Sequence, residues 1–283
     1  MRGIICVTAW ERKSLWRRLL CAVGRVVALL TIFTVLLNFL GPPILIFFTA
    51  RWEAKKIPAV RVTAQPLADY SVSDAPGTAV SCLGYSFEVP WNASFKTKGP
   101  QKGSTKGGIV QLTFDSGQIL LIWAPANENG LFNEIVQDQS MHMEGLRLTL
   151  GDLMNRSAYD QYSALLNASP SAVRAFGPRS VAIRGETLLT IKAIAMPASL
   201  ETGAFSFQLP DKRGFQIGDP QKSRSIDLEI FDMNGHNLEI ICASGRGSIE
   251  LTQPELNRIL RTLHPVPTDS LTAHAITTKA LRN

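Results

Sequence analysis

Two glutamates that face each other across a predicted hairpin have the clearest potential for chemistry. In the register argued below, Glu229 and Glu239 lie opposite each other on the outward face of the sheet. Two neighbouring carboxyl groups could act as acid and base, as they do in glycoside hydrolysis. Exposed carboxylates across a hairpin more often belong to a solvated surface, and we favour that interpretation. No catalytic residue is therefore predicted.

The histidines and short motifs predict no metal, cofactor or phosphate site. The four histidines are scattered over different predicted elements, at His142, His236, His264 and His274. The sequence contains neither H-E-x-x-H nor G-x-S-x-G. In the glycine-rich segment 103–108, Lys106 precedes the last glycines, whereas a phosphate-binding loop places its lysine after them. We predict an exposed loop over residues 96–106, with the glycine-rich segment at a solvated hairpin tip.

The cysteines leave two alternatives open. Cys6 and Cys21 precede the apolar segment described below, so Cys82 and Cys242 are the only pair beyond it. If that part of the chain is oxidised, these two could form a disulfide that closes a long loop. Cys242 also lies on the apolar face of a predicted strand, where a free thiol is commonly buried. We favour the buried thiol.

The positive net charge does not predict a nucleic-acid partner, because of where it lies. The chain carries 29 Lys and Arg and 23 Asp and Glu, a net charge of +6. Nine of the basic and two of the acidic residues precede residue 60, which leaves 20 basic and 21 acidic residues beyond it. Nucleic-acid binding requires a basic face, so we expect no nucleic-acid partner. Basic residues beside an apolar segment are instead attracted to anionic lipid head groups.

Residues 26–48 form an apolar run that predicts one transmembrane helix. These 23 residues carry no charge. A helix of that length reaches about 34 Å, against a hydrocarbon core of about 30 Å. The lipid bilayer is therefore the first predicted partner, through residues 26–48. Pro42 and Pro43 predict a kink or an early end of the helix near the outer interface.

The flanking charges predict the orientation and location of the protein. Six basic residues precede the run and four follow it within residues 51–61. The positive-inside bias then places the N-terminus in the cytoplasm and the C-terminal domain in the periplasm, in a single-pass protein of the cell inner membrane. A cleaved signal peptide is the main alternative. It is disfavoured because the run is longer than a signal core and Phe48–Ala50 places a large ring at the only candidate cleavage site.

The chain divides into five predicted segments. They are a basic cytoplasmic segment (1–25), the transmembrane helix (26–48), a linker (49–80), an extracytoplasmic domain (81–264) and a disordered tail (265–283). The fourth segment is long enough to bury its own core. Its alternating and helical patterns predict an α+β fold, with a mainly antiparallel sheet flanked by helices.

The elements of this domain follow from periodicity and from end signals. The predicted strands are 82–91, 110–114, 118–123, 181–195, 204–209, 226–230 and 238–242, and the predicted helices are 132–143, 159–166, 169–176 and 252–263. Ser157 is the predicted cap of one helix. Thr252 and Glu255 form a predicted capping box at the start of the last. That last helix should pack across the sheet, because its apolar residues form one stripe.

The second hairpin has a register that the sequence can decide. A two-residue turn at 234–235 would pair Ile230 with Glu239, which places an apolar and an acidic side chain on the same face. A three-residue loop, 233–235, pairs Ile230 with Leu238 and matches the apolar faces. We predict the three-residue loop.

Two parts of the domain resemble a known family. The strand Tyr85–Trp91, reading YSFEVPW, the hairpin that follows it, and the closing strand and helix ending QPELNRIL at residues 253–260 resemble the PsbP-like extrinsic domains. That resemblance implies an antiparallel sheet flanked by helices and an accessory or assembly role. It implies no catalytic residues. The chain departs from the family pattern in its predicted transmembrane helix and in the helical segment 131–176.

These features predict a non-enzymatic protein of the cell envelope. The chain is expected to hold a neutral domain outside the cytoplasm by one membrane anchor and to bind a protein partner or contribute to an assembly. An envelope hydrolase, whose acids and hydroxyls converge only on folding, is the first alternative. A carrier of lipid or another small ligand is the second.

Overall fold

A computed structural model describes residues 9–74, 76–91, 93–99, 108–124, 132, 143–173, 178–233, 237–245 and 251–266 of the chain. Of the helical residues, the side chains of 9–26, 35–40 and 143 lie outside this description. Four predictions fall wholly or largely outside it: the helix at 132–143, the glycine-rich segment at 103–108, the three-residue hairpin loop at 233–235, of which only Met233 is described, and the tail beyond residue 266.

The described chain begins with one long helix, α1 (Ala9–Lys56). It includes the apolar run 26–48 and continues past Pro42 and Pro43 to Lys56. Pro42 and Pro43 were expected to cause either a kink or an early end of this helix. The early end does not occur, because the helix continues to Lys56. Within the described residues, no helix is both long enough and apolar enough to cross a membrane.

The other helices follow the first hairpin and close the domain. They are α2 (Met143–Leu150), α3 (Ala158–Asn167), α4 (Arg179–Ala195) and α5 (Gln253–Thr262), with short 3-10 turns at Pro58–Arg61, Gly151–Asn155 and Ala198–Thr202. The predicted capping box at the start of α5 is confirmed, since the Glu255 carboxylate accepts a 2.8 Å hydrogen bond from the Thr252 amide. The predicted cap of α3 is also confirmed, since the Ser157 hydroxyl accepts from the Asp160 amide.

A mainly antiparallel sheet forms the centre of the domain. Its described strands run in the order β1-β7-β8-β9-β10-β6-β5-β4, and β11-β3-β2 form a smaller sheet beside it. The strands are β1 (Gln65–Pro66), β2 (Thr78–Cys82), β3 (Tyr85–Val89), β4 (Phe95–Lys98), β5 (Gly108–Phe114), β6 (Gln118–Ala124), β7 (Ala204–Gln208), β8 (Lys212–Ile217), β9 (Ser225–Asp232), β10 (Asn237–Ser244) and β11 (His264–Pro265). Of the described pairs only β1 and β7 run parallel. The predicted α+β class, a mainly antiparallel sheet flanked by helices, is confirmed.

One face of the large sheet carries the main core. The alternating apolar residues of β5 and those of β9 and β10 are all buried in it: Val110, Leu112, Phe114, Ile226, Leu228, Ile230, Leu238, Ile240 and Cys242. Helix α5 covers them with Leu256, Ile259 and Leu260, as its apolar stripe predicts. The predicted register is confirmed, since Ile230 pairs with Leu238.

The opposite face is covered by helices over part of its width. Helix α3 packs on β8 and β9 through Tyr162 and Leu166, which are buried with Phe215 and Phe231. Helices α2 and α4 pack in turn on α3, through a cluster that includes Leu150, Leu165 and Ile191. The site described below lies between α3 and this face.

The segment predicted as a linker, residues 49–80, is in contact with the domain along much of its length. Ala50 and Ala54, in the last turns of α1, are buried with Leu189 of α4. Strand β1 extends the large sheet, and β2 pairs with β3. The chain therefore joins the domain before residue 81.

The predicted strand at 181–195 is wrong, because these residues form helix α4. Apolar residues occur on several sides of this segment, so neither the helical nor the alternating period dominates the sequence. Apolar residues occur on several sides of α4 because it contacts α1 as well as α2 and α3. A helix with apolar contacts on more than one side does not show a single apolar stripe.

Two further local predictions differ from the structure, and one strand was not predicted. The described part of the predicted helix 169–176 is a turn, in which the Ala172 amide donates to the Ser169 carbonyl. Residues 96–98 were expected in an exposed loop, but they belong to β4, which pairs with β5 at the sheet edge. Strand β8 was not predicted, because its charged residues Lys212 and Arg213 obscure its alternation.

Candidate functional site

The best candidate for a functional site is a group of acidic side chains on β9 and β10. Glu229 and Glu239 are directly opposite each other in the antiparallel pair, as predicted. Asp227 lies two residues before Glu229, so its side chain projects from the same face of the sheet. Side chains directly opposite in such a pair have Cβ atoms about 5 Å apart. Three carboxyl groups are therefore concentrated on one small area.

The interpretation as a solvated surface is wrong for Glu229, whereas Glu239 is partly exposed. Glu229 is 6% exposed and Asp227 is 4% exposed. The covering layer is aromatic: the ring centroids of Tyr159 and Tyr162 lie 5.1 and 5.6 Å from that of Phe215, in stacked geometry. Glu229 and Asp227 thus lie beneath α3, at the edge of an apolar layer.

Local hydrogen bonds fix α3 over the acidic pair. The side-chain amide of Gln161 donates to the carbonyl groups of Met154 and Arg156, at 3.1 and 3.0 Å. Its carbonyl oxygen accepts from the amide of Phe132, at 3.3 Å. Since Gln161 precedes Tyr162 in the helix, these bonds and the Ser157 cap together place the Tyr162 ring against the sheet.

Burial changes the protonation of the acidic group. Burial first, and then the charge of Glu239, raise the pKa of Glu229 well above its ordinary value; hydrogen bonding to Tyr162 and Asn237 lowers it to a smaller extent. Burial also raises the pKa of Asp227 to about 6. The pKa of the Tyr162 hydroxyl is raised by burial and by the three carboxylates. Glu229 Oε2 has no hydrogen-bond partner among the described residues.

The charged groups around Glu229 and Glu239 limit the chemistry of this site. The Arg213 guanidinium carbon lies 3.8 Å from the centroid of the Tyr159 ring, so this cation is engaged with an aromatic face. Within the described residues, no group of three or more His, Cys, Asp or Glu side chains could hold a metal ion. The arrangement suits the storage of a proton by a neutral carboxyl group.

The sequence placed Glu229 and Glu239 together, but it indicated neither the burial of Glu229 nor the nearby Asp227 and Tyr162. One signal was present in the sequence. Phe231 lies on the same strand face as Glu229, and an aromatic residue at that position indicates that the face is covered.

The predicted buried thiol is confirmed. Cys242 is fully buried and Cys82 is partly buried, and both are free, so the disulfide alternative is wrong. Burial raises the pKa of Cys82 to about 12 and also raises that of Cys242. Both thiols are therefore protonated and unreactive at neutral pH. His264 lies in β11, whereas His142, His236 and His274 lie outside the described residues.

A buried lysine in α4, Lys192, was also not predicted from the sequence. The ammonium group of Lys192, which is fully buried, donates to the carbonyl oxygens of Val62, Leu166 and Ala168 at 2.5, 2.6 and 2.8 Å. Burial lowers its pKa to about 8, so it remains a cation at neutral pH. Three carbonyl acceptors match its three donors, which indicates a structural role.

Comparison with known proteins gives no family to which this chain can be assigned. No family model, no curated protein and no solved structure matches it. The likeness to the PsbP-like domains therefore stays a resemblance in sequence pattern. The function must be inferred from the chain itself.

Proposed function

We propose that this protein is a membrane-anchored component of the cell envelope, whose α+β domain binds a protein partner or contributes to an assembly. Residues 26–48 are the anchor in a cell inner membrane. The N-terminus is cytoplasmic and the domain is periplasmic. The role is non-enzymatic.

The observation that carries the proposal is the exposure of apolar side chains around α1. Residues 27–34, reading VALLTIFT, are all exposed, and eight residues make more than two turns of helix. Leu30 is 60% exposed and Phe33 is 59% exposed. Apolar surface in water costs about 25 cal/mol per Å², whereas lipid removes that cost.

The polar groups in the same stretch are satisfied within the helix. The Thr31 hydroxyl donates to the Val27 carbonyl and the Thr34 hydroxyl to the Leu30 carbonyl, both at 2.8 Å. Such bonds within the helix are how hydroxyl groups are accommodated in hydrocarbon, where water is absent. They support a lipid environment for this part of α1.

The end of the apolar run has the composition of a membrane interface. The Lys56 ammonium lies 3.6 Å from the centroid of the Trp52 ring, and the Arg51 guanidinium lies 4.3 Å from that of Phe47. Trp and basic side chains are enriched at the level of the lipid head groups. This pattern supports a membrane boundary near residue 50.

Burial of Glu229 argues against the hydrolase alternative. A general acid must come within hydrogen-bonding distance of the substrate. Glu229 is covered by α3 and the aromatic layer, so a substrate has no direct approach to it. We therefore retain the non-enzymatic role.

The anchor is tested by a single charge in the apolar run. The variant Leu30→Arg should be released from membranes by alkaline carbonate, because a cation near the helix centre opposes insertion by about 3 kcal/mol. The matched control is Leu148→Arg, at a residue of α2 that is 88% exposed outside the run. Wild type and control should stay in the pellet, and release of the wild-type protein would refute the anchor.

The partner is tested by site-specific crosslinking in native membranes. A photo-reactive residue at Ile109, an exposed apolar position on β5, should give a defined adduct with another protein. The control position is Lys222, whose exposed side chain lies on a polar turn. Recovery of the protein alone from both positions would contradict the interaction role and leave the anchor unaffected.

A further inference from the structure

Helix α4 lies beside the last turns of α1 and runs in the same direction. Near its C-terminal end, the Lys192 ammonium binds the carbonyl of Val62, which lies beyond the end of α1. Only three residues of α4 follow Lys192. The contact of Ala50 and Ala54 with α4 is therefore made by earlier residues of that helix, among them Leu189. The N-terminal part of α4 thus points back along α1 toward the apolar run.

The first turn of α4 lies level with the end of the apolar run. Leu189 is buried together with Ala50 and Ala54. Val181 precedes Leu189 by eight residues, which is about 12 Å of helix. The same distance back along α1 from these two alanines reaches residues 42–46. Val181 therefore lies near the level at which the predicted transmembrane helix ends.

The exposure of α1 changes at the same level. Residues 27–34 are all exposed, whereas Pro43 is buried and Ile46 is partly buried against the cluster that α1 shares with α4. Leu45 and Phe48, on the other side of the helix, are 65% and 63% exposed. One side of α1 is thus covered by the domain from about residue 43, while the other side stays open. The domain and the membrane boundary meet at this point.

The first turn of α4 presents a basic and an apolar side chain together. Residues 178–181 are all exposed, and Val181 is 54% exposed. Arg179 lies two residues before it. An arginine can bury its aliphatic stem along an apolar surface while its guanidinium stays at the level of the head groups. This combination suits the boundary between head groups and acyl chains.

The charges next to this turn favour an anionic partner. Arg184 and Arg156 both bind the carboxylate of Asp152, at 3.5 and 2.8 Å, so this ion-paired group keeps a net positive charge. Arg179 adds a further positive charge, and the first acidic residue of α4 is Glu186, farther from the apolar run. Basic side chains at a membrane surface are attracted to anionic lipid head groups.

We propose that Arg179, Val181 and Arg184 form a membrane-facing patch, which lies against the anionic lipid head groups of the bilayer that holds α1. The inference rests on the proposed anchor and adds to it the face of the domain that meets the lipid. The two arginines bind phosphate groups of the lipid, and Val181 reaches the outer ends of the acyl chains. Together with the contact between α1 and α4, the patch sets the orientation of the domain on the membrane.

Photo-crosslinking of the purified full-length protein in vesicles tests the patch. The vesicles contain phosphatidylglycerol and phosphatidylcholine, so lipid and other copies of the chain are the available partners. A photo-reactive residue at Val181 should give lipid adducts, which mass spectrometry identifies. The control position is Met233, which is 69% exposed and follows Phe231, a residue buried with Ala59 beyond the end of α1. A probe at Leu30 reports on the anchor by itself.

The contribution of the charge is tested at Arg179. In vesicles that contain phosphatidylglycerol, Arg179→Glu should lower the yield of lipid adduct at Val181 about fivefold, the effect of one basic residue near an anionic surface. The matched control Arg179→Lys keeps the charge and should retain the yield. In vesicles of phosphatidylcholine alone, the difference between the two variants should disappear.

Four results would overturn the proposal. If Leu30 gives lipid adducts and Val181 gives no more of them than Met233, the patch is wrong and the anchor stands. Adducts between two copies of the chain at Val181, in place of lipid, would make this face a self-association surface. Equal yields in Arg179→Glu and Arg179→Lys would remove the role of the charge. Absence of lipid adducts at Leu30 as well would refute the anchor and the patch together.

A second position guards against disturbance of the fold by the probe. Ser180 is exposed in the same turn of α4, so a probe there should give the same lipid adducts as one at Val181. Lipid adducts from neither position, in a protein whose Leu30 probe is labelled, would contradict the patch.

Discussion

Lys192 shows how one side chain can join three separate segments of the chain. Its ammonium group binds the carbonyl of Val62 after the first 3-10 turn and those of Leu166 and Ala168 at the end of α3. The last carbonyls of a helix lack partners within it and carry partial negative charge. A buried cation at this position therefore satisfies acceptors that would otherwise be unpaired.

We predict that Lys192→Met lowers the free energy of unfolding by about 3 kcal/mol. Methionine fills a similar volume but leaves three buried carbonyl groups without a donor, and each costs about 1 kcal/mol or more. Denaturant unfolding of the full-length protein measures the change. Lys222→Met removes an exposed lysine paired with Asp219 and should change stability by less than about 1 kcal/mol. Equal effects of the two substitutions would refute the structural role of Lys192.

At the scale of single residues, sequence reasoning could locate the acidic pair but not its surroundings. The apolar faces of β9 and β10 decide the register, and the register alone sets Glu229 opposite Glu239. Whether the face of the sheet that carries Glu229 and Glu239 is exposed depends on which helix covers it. Tyr162 belongs to α3, which is 62 residues or more from the pair along the chain. No local pattern in β9 specifies that contact.

Elements with strong end signals were the ones that the sequence predicted well. Helices α3 and α5 begin at a serine cap and at a capping box, and both caps are present in the structure. The turn at 115–117 joins β5 to β6, between the strands predicted at 110–114 and 118–123, with Gly117 at a φ of 93°. A positive φ of this kind is what the glycine allows at low cost.

Helix α4 failed as a prediction for a physical reason. It contacts α1, α2 and α3, so its apolar residues do not form one stripe, and its β-branched residues favour a strand locally. Lys192 is fully buried although it is charged, so the sequence does not indicate that this side of the helix is buried. Packing between elements outweighs local preference here. Strand β8 was not predicted for a related reason. Lys212 is buried and binds the Leu263 carbonyl beneath α5, but a charged residue at this position does not indicate a buried strand.

The whole molecule is distinguished by how α1 meets the domain. The exposed apolar stretch of α1 continues without interruption into turns that are buried against α4. If residues 26–48 are held in a bilayer, the domain is therefore held at a defined orientation to it, because a continuous helix transmits orientation better than a flexible linker. The contact uses small residues, Ala50 and Ala54, which allow two helices to approach closely.

This arrangement predicts that Ala54→Leu destabilises the domain. Ala54 is 2% exposed, so three added carbon atoms must displace the neighbouring helix, and overpacking of this kind costs about 1 to 3 kcal/mol. For a domain of this size, each kcal/mol lowers Tm by about 2 to 4 °C. Thermal unfolding in mild detergent measures the shift.

The matched control is Ala28→Leu in the same helix, where the side chain is exposed and the added atoms meet only detergent or lipid. An unchanged Tm in Ala54→Leu would mean that the contact between α1 and α4 adds little to stability, and that the domain turns freely on its anchor.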